Sequence, residues 1–232
     1  MNASVIVPTY NEEKSLSRCM ASIRQQTFPA DEVIVADGQS TDGTHELALE
    51  LADKLVVEKK RTIAAGRQSG AMSAKGKWLV FADADAHYPK DWLLDLLRPF
   101  ADPTVACTHG KLLLSESNPV EHYMADRLLP KVFQTALRLG HPTGAGSNLA
   151  IRADVFREMG GFNTDLVTAE DVDLQKRALR FGRNVFVKDA VAYVSPRRIR
   201  EWGYTRFVGF HFQNFVQYSL FRRSFQQYGP VR

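Results

Sequence analysis

Two cysteines in 232 residues, Cys19 and Cys107, are too few for a disulfide scaffold and lack the spacing of a metal site. They point to a reducing compartment and to two small buried side chains. No apolar run approaches the roughly 18 uninterrupted residues of a membrane-spanning helix. Nor does a secretory signal open the chain, because Val5-Ile6-Val7 is too short for a signal core and is ended by Pro8. The body is therefore expected to be cytosolic. The P-loop and the Gly-x-Gly-x-x-Gly fingerprint are both missing, which weakens nucleoside triphosphatase and dinucleotide-binding readings. There is no internal repeat and no low-complexity tract.

What is present is an ordinary globular composition, 44% hydrophobic and 24% charged, in a chain long enough for one large α/β domain with an appendage. The formal charge of +4 is unevenly spread. Residues 196–232 hold seven arginines against the single acid Glu201, a net +6, which leaves −2 for residues 1–195.

Short runs rich in Val, Ile and Leu, Ser4–Val7, Glu32–Ala36, Lys54–Val57 and Trp78–Ala82, read as strands buried on both faces of a parallel sheet. Between them Glu12–Gln26, Gly43–Ala52 and Ala64–Lys75 are long enough for crossover helices, the pattern of a doubly wound α/β domain. Further on, helices are expected over Lys90–Phe100, Asp154–Met159 and Glu170–Phe181, and strands over Thr104–Leu114 and Leu149–Arg152. Pro119–Leu139 is expected to be helical or mobile, and the Gly-rich stretch His141–Asn148 to be irregular.

Four polar clusters follow strands or open a helix. The first two are Pro8-Thr9-Tyr10-Asn11-Glu12-Glu13 and Asp37-Gly38-Gln39-Ser40-Thr41-Asp42, at the carboxyl ends of the first two strands, where an open parallel sheet binds its ligands. Asn11 and Thr41 or Asp42 also suit helix caps, but capping leaves Asp37 unexplained. Asp83-Ala84-Asp85 follows the fourth strand, and two like charges on one side of a strand call for a divalent cation, with oxygen ligands favouring Mn2+ or Mg2+. The fourth cluster, Glu170-Asp171-Val172-Asp173, opens a helix. Acids there serve the helix dipole, yet three in four positions exceed that need and offer a general base.

In this order and spacing, together with Gly160-Gly161-Phe162, the clusters resemble the family 2 inverting glycosyltransferases of the GT-A fold. The resemblance implies a single α/β domain over residues 1–195, with a mostly parallel twisted sheet flanked by helices. It divides into a Rossmann-like nucleotide-binding half, 1–100, and an acceptor half, 101–195, followed by a basic aromatic helical tail, 196–232. It implies that Pro8, Thr9, Tyr10, Glu12 and Asp37 hold the nucleoside of a sugar-nucleotide donor, UDP-linked rather than GDP-linked. Asp83 would touch ribose or metal, Asp85 would ligate Mn2+ or Mg2+, and Asp171, paired with Glu170, would be the general base. Gly144, Ala145 and Asn148 become acceptor contacts. Three departures stand out. Arg67-Gln68 replaces a frequent Arg-Asn, leaving Arg67 as a phosphate-binding candidate. No histidine accompanies Val194-Ser195-Pro196, so Arg197 and Arg198 either contact the diphosphate or form a solvated basic turn. The Gln-x-x-Arg-Trp motif of processive synthases is missing, which favours single transfer to a hydroxyl of a saccharide or lipid-linked saccharide.

The tail carries ten aromatics between Trp202 and Tyr228, with Tyr218, Phe221, Phe225 and Tyr228 forming one helical stripe beside Arg222 and Arg223. This stripe either packs on the core, makes a homodimer, or lies on an anionic membrane surface, which would place the protein on the inner face of the plasma membrane. Nucleic acid is the weakest partner, because no RNA-binding motif surrounds the aromatics. Two other functions share the Asp-x-Asp signal: a phosphatase of the haloacid dehalogenase type, and a non-enzymatic sugar-nucleotide-binding scaffold at the membrane.

Overall fold

Strand β1 (Ala3–Thr9) enters the interior with almost every residue buried, and the alternation of its side chains divides the molecule into two layers. The computed structural model describes residues 2–142 and 144–221. Helix α1 (Glu13–Arg24) follows β1 and leads to β2 (Glu32–Asp37). Then come α2 (Thr44–Leu51), β3 (Lys54–Val57), α3 (Ile63–Met72) and β4 (Trp78–Ala82). The second half runs through β5 (Ala86–His87), α4 (Trp92–Leu97) and β6 (Val105–Leu114). Next are α5 (Pro119–Tyr123), a π-turn (Met124–Leu128), α6 (Leu129–Arg138), β7 (Asn148–Arg152), α7 (Ala153–Glu158) and α8 (Glu170–Ala178). Last come β8 (Arg183–Val194), α9 (Arg197–Trp202) and α10 (Tyr204–Phe221).

All eight strands form one sheet in the order β3-β2-β1-β4-β7-β6-β8-β5. The first four are parallel as expected. Beyond β4 the pairing becomes mixed: β7 is antiparallel to both neighbours, β6 and β8 are parallel, and β5 closes the edge antiparallel to β8. The sheet is a single mostly parallel layer flanked by helices. One face buries Val5, Val7, Val33, Val35 and Val80 against Leu16, Met20 and Ile23 of α1 and Leu93 and Leu96 of α4. The other buries Ile6, Ile34, Leu79 and Phe81 against Ala71 of α3, Phe156 of α7 and Leu174 of α8. This burial, at about 25 cal/mol per Å² of apolar surface, is the main source of stability.

Small residues decide how closely α3 approaches. A Cβ on Gly66 would sit 3.0 Å from the Pro8 Cβ, and one on Gly70 2.5 Å from the Ile6 Cγ2, so the helix lies directly on β1. Helix α7 ends where Gly160 and Gly161 adopt φ of 79° and 73°, the left-handed conformation that stops a helix cheaply only at glycine.

The β6–β8 ladder contains an irregularity. Gly110 pairs with Val187 while Lys111 pairs with Val191, so residues 188–190 bulge out of β8. Asn148 holds this bulge from inside. Its Nδ2 donates to the Lys111 carbonyl at 3.0 Å and to the Ala190 carbonyl at 2.9 Å, and its Oδ1 accepts from the Trp92 indole at 2.8 Å. Asn148 is fully buried and its amide is committed to the scaffold, which corrects its assignment as an acceptor contact. Asn148→Ala leaves three buried polar groups unpaired and is expected to lower unfolding free energy by about 2–4 kcal/mol. A urea midpoint equal to that of the native protein would contradict this.

Candidate active site

Because β1, β2 and β4 are parallel and adjacent, their carboxyl ends deliver Thr9, Asp37 and Asp83 to the same rim of the sheet. Asp37 is fully buried. It accepts from the Ser40 hydroxyl at 2.5 Å and lies 3.0 Å from the His45 Nδ1, so its orientation is fixed from two sides. Thr9 sits in register with it, and among the described residues its buried hydroxyl oxygen has no partner. Asn11 takes φ of 55° and is pinned by Ser40 and Thr41, a strained turn that carries the chain from Tyr10 to Glu12.

Two arginines cross-link these acids. Arg67, carried into the crevice by α3, is 2% exposed; it donates to Asp83 at 2.8 Å and to Glu170 at 2.6 Å. These two carboxylates, with Asp171 nearby, hold the guanidinium charged despite its burial, well above the usual arginine range. Arg197, from the first turn of α9, makes a two-point contact with Glu12 and reaches Asp85 at 3.1 Å. The Arg198 guanidinium lies 5.1 Å above the Trp202 ring. The Asp83 amide donates to the Tyr88 hydroxyl, which donates in turn to the Ser147 carbonyl, fixing the turn after β4 against the segment that enters β7.

The acids opening α8 are placed differently from one another. Glu170 is buried against Arg67, and burial, then the neighbouring Asp171, push its carboxyl up to about 7. Asp173 accepts from the Tyr218 hydroxyl and from Arg177. Asp171 alone of the three faces the crevice half-exposed, with one oxygen held by the Gly146 amide at 2.9 Å and the other by the Val172 amide. Ala169, before the helix, takes φ of 61°. Backbone of the Gly-rich loop forms the facing wall. A Cβ on Gly144 would strike His109 and Gln175, and one on Gly146 would strike the Arg67 guanidinium, while Ala145 between them is half-buried.

Asp83 and Asp85 form a pair of hard oxygen donors. Burial, then Asp83, push the Asp85 carboxyl up to about 6, the sign of a negative pair short of positive charge. Such a pair fits Mn2+ or Mg2+ as a partial ligand set, completed by ligand oxygens. Among the described residues, no three His, Cys, Asp or Glu side chains converge as a complete metal site.

A family model described as glycosyl transferase family 2 matches residues 4–160, which include Thr9, Glu12, Asp37, Arg67, Asp83, Asp85 and the Gly-rich loop of the site just described. The chain belongs to this family. It is similar to glycosyltransferase AglE of Haloferax volcanii, 28% identical over 206 residues, which is 84% of this chain and 67% of AglE. It is also similar to the pre-mycofactocin glycosyltransferase of Mycobacterium tuberculosis, 28% identical over 218 residues, 87% of this chain and 44% of that protein. The chain therefore spans less than half the length of the second relative. Among solved structures, a mannosyltransferase from Pyrobaculum calidifontis in complex with GDP-Man and Mn2+ is 29% identical with a TM-score of 0.68, covering 93% of this chain and 64% of its own. S. aureus TarS, at 23% identity and TM-score 0.68, shares the fold over 87% of this chain and 38% of its own.

Several residues of this family 2 glycosyltransferase site gave no warning in the sequence. His45 orients Asp37 together with Ser40 of the Asp37–Asp42 cluster, and Tyr88 supports Asp83; nothing in the spacing of His45 and Tyr88 distinguishes them from ordinary loop and helix residues. Gln68 clasps the Gly160–Phe162 turn, accepting from the Phe162 amide at 2.8 Å, and so has a scaffold role. The raised Glu170 carboxyl has a measurable consequence. A folded-state value above the unfolded one means that the native protein binds this proton more tightly, so its contribution to stability is lost as pH rises from about 4.5 to 7. Glu170→Gln is expected to remove a slope of up to about 1.4 kcal/mol per pH unit in that window. Parallel stability curves for the two proteins from urea unfolding at stepped pH would contradict it.

Proposed function

We propose that this family 2 glycosyltransferase transfers one sugar, with inversion, from a nucleotide-diphosphate sugar to a hydroxyl of a saccharide or lipid-linked saccharide. The observation that supports this most directly is the grouping of acids around one crevice, where Arg67 joins Asp83 to Glu170, Arg197 joins Asp85 to Glu12, Asp171 is held by the Gly146 amide, and Asp37 ends the strand beside β1. Asp37, with Thr9, Tyr10 and Pro8, holds the nucleoside. Glu12 holds Arg197 at the diphosphate position. A UDP-sugar is the first donor, and a GDP-sugar, the donor bound by the Pyrobaculum mannosyltransferase, is the second.

Asp171 is the general base of this reading. Glu170 is spent on Arg67 and Asp173 on Tyr218 and Arg177, whereas Asp171 is open to the crevice and held by two amides. It takes the acceptor hydroxyl proton as that oxygen bonds to the anomeric carbon, and the carbon–oxygen bond to the diphosphate breaks on the opposite face. Gly144 and Ala145 line the acceptor side. Arg197 and Arg67 stabilise the negative charge that develops on the diphosphate. Mn2+ or Mg2+ bound at Asp83 and Asp85 would supply further positive charge there.

The tail is proposed to lie at a membrane surface. Within the described residues α10 is also tied to the body, since Tyr218 is buried beside Leu166 and Ala169 and bonds Asp173. Phe225, Tyr228, Arg222 and Arg223 lie outside the described residues. No helix among the described residues is long and apolar enough to cross a membrane.

Asp171→Asn should leave donor binding nearly intact and lower turnover about 10²- to 10⁴-fold, the size of a lost general base. Near-native turnover would remove Asp171 from this role. Asp85→Ala should abolish the metal dependence of donor binding. Calorimetry giving one affinity for UDP and for GDP with and without Mn2+ in the native protein would sink the metal assignment.

A further inference from the structure

In the second half of the chain, a further set of charges surrounds an open cavity of about 310 Å³ between β6, α6 and the β8 bulge. Four cations line it, Lys111, Arg127, Lys131 and Lys188, against two acids, Asp126 and Asp189. Asp126 is used up, paired with Lys111 at 2.5 Å and Arg127 at 3.1 Å. Lys131 and Lys188 are exposed and have no ion pair among the described residues. The cavity is one connection away from the proposed acceptor loop, because Asn148 holds the Lys111 carbonyl and follows Ser147, whose carbonyl accepts from Tyr88. Its surplus of positive charge matches a phosphate.

The helix above the cavity exposes apolar side chains. Val120 is 71% exposed, Tyr123 64% and Val132 53%, and Met124, Leu128 and Leu129 are exposed between them. At helical spacing, with the π-turn taking up the extra residue, they form one row. The acids of this segment point inward: Asp126 to Lys111, and Glu121 to Arg200 and the Tyr204 hydroxyl. The exposed charges of this segment are Arg127 and Lys131, at the mouth of the cavity, and Arg138, all basic. Through the Glu121 contacts the row continues onto α10, where Tyr204, Val208 and Phe212 are also exposed. An apolar row whose own segment exposes cations and no carboxylate, with Asp189 of the β8 bulge the one exposed acid lining the cavity, has the character of a helix lying in the interface of an anionic lipid surface.

We propose that residues 119–139 and the start of α10 form the surface that meets lipid, and that the cationic cavity beneath holds the phosphate of a lipid-linked acceptor, presenting its hydroxyl toward Asp171. This rests on the glycosyltransferase reading and names the acceptor class for it. The occupant is a lipid phosphate and not a free one, because the cations open beside an apolar surface that a soluble phosphate would leave uncovered.

The test uses the full chain with phosphatidylcholine vesicles, with and without phosphatidic acid, in flotation. The native protein is expected to float with the phosphatidic acid vesicles. Lys131→Glu/Lys188→Glu and Val120→Asp/Val132→Asp should each weaken this by about tenfold or more, with UDP or GDP binding in the presence of Mn2+ unchanged as the check that the variants are folded. If Arg222→Glu/Arg223→Glu abolishes flotation while both other variants float like the native protein, the surface belongs to the tail alone and the proposal fails. It also fails if no vesicle is bound while inorganic phosphate raises the melting temperature through Lys131 and Lys188, since the site would then serve a soluble phosphate. Failure of the native protein to bind any nucleotide would count against the glycosyltransferase reading instead, leaving the vesicle result to be judged by itself.

Discussion

The buried Arg67 guanidinium holds the catalytic crevice together. Taking such a group out of water costs several kcal/mol even after relaxation, so it is tolerated only where partners are already in place. Here Asp83 comes from the end of β4 and Glu170 from the start of α8, 103 residues beyond Arg67 in the chain. The end of β4 at Asp83, the helix that opens with Glu170 and the Gly-rich loop packed on Arg67 are thereby fixed relative to one another. Gly146 has no room for a side chain because the guanidinium occupies that space. With only one cation between Asp83 and Glu170, and with Asp171 alongside, the crevice remains short of positive charge.

Arg197 meets part of that deficit from the other side. It bridges Glu12 and Asp85, the position in which positive charge from a donor-bound cation is expected. Three residues further along α9, Arg200 grips Glu121 of α5. One short helix thus ties the crevice at Glu12 and Asp85 to Glu121 of α5.

Much of the first half was legible because its physics is local. Val33-Ile34-Val35-Ala36 and Leu79-Val80-Phe81-Ala82 are buried on both faces, and such continuous apolar runs separated by helix-length segments leave few alternatives to a parallel sheet. Acids placed directly after those runs had to emerge at the strand ends. The second half resisted. Strand β8 was not anticipated, since its residues are mostly half-exposed and Lys188-Asp189 interrupts the pattern where the strand bulges. Strand β5 is two residues long and is defined only by its partner. Asn148 reads in sequence as a polar loop residue beside glycines, and only the fold shows that its amide faces Trp92 and two carbonyls. Arg197 and Arg198 are indistinguishable in sequence, yet helical geometry sends one to Glu12 and the other to Trp202.

The contact between Glu12 and Arg197 also has a temporal side. It joins residues 185 positions apart, and a chain made from its N-terminus folds its early segments first. Strands β1, β2 and β4 can be assembled long before α9 has been synthesised, and during that interval Glu12, Asp83 and Asp85 face one another without Arg197. The first half of the sheet is therefore born electrostatically unfinished. Its charge balance is completed by a segment that arrives late, so the crevice between Glu12 and Asp85 reaches its final arrangement only once most of the described chain has been made.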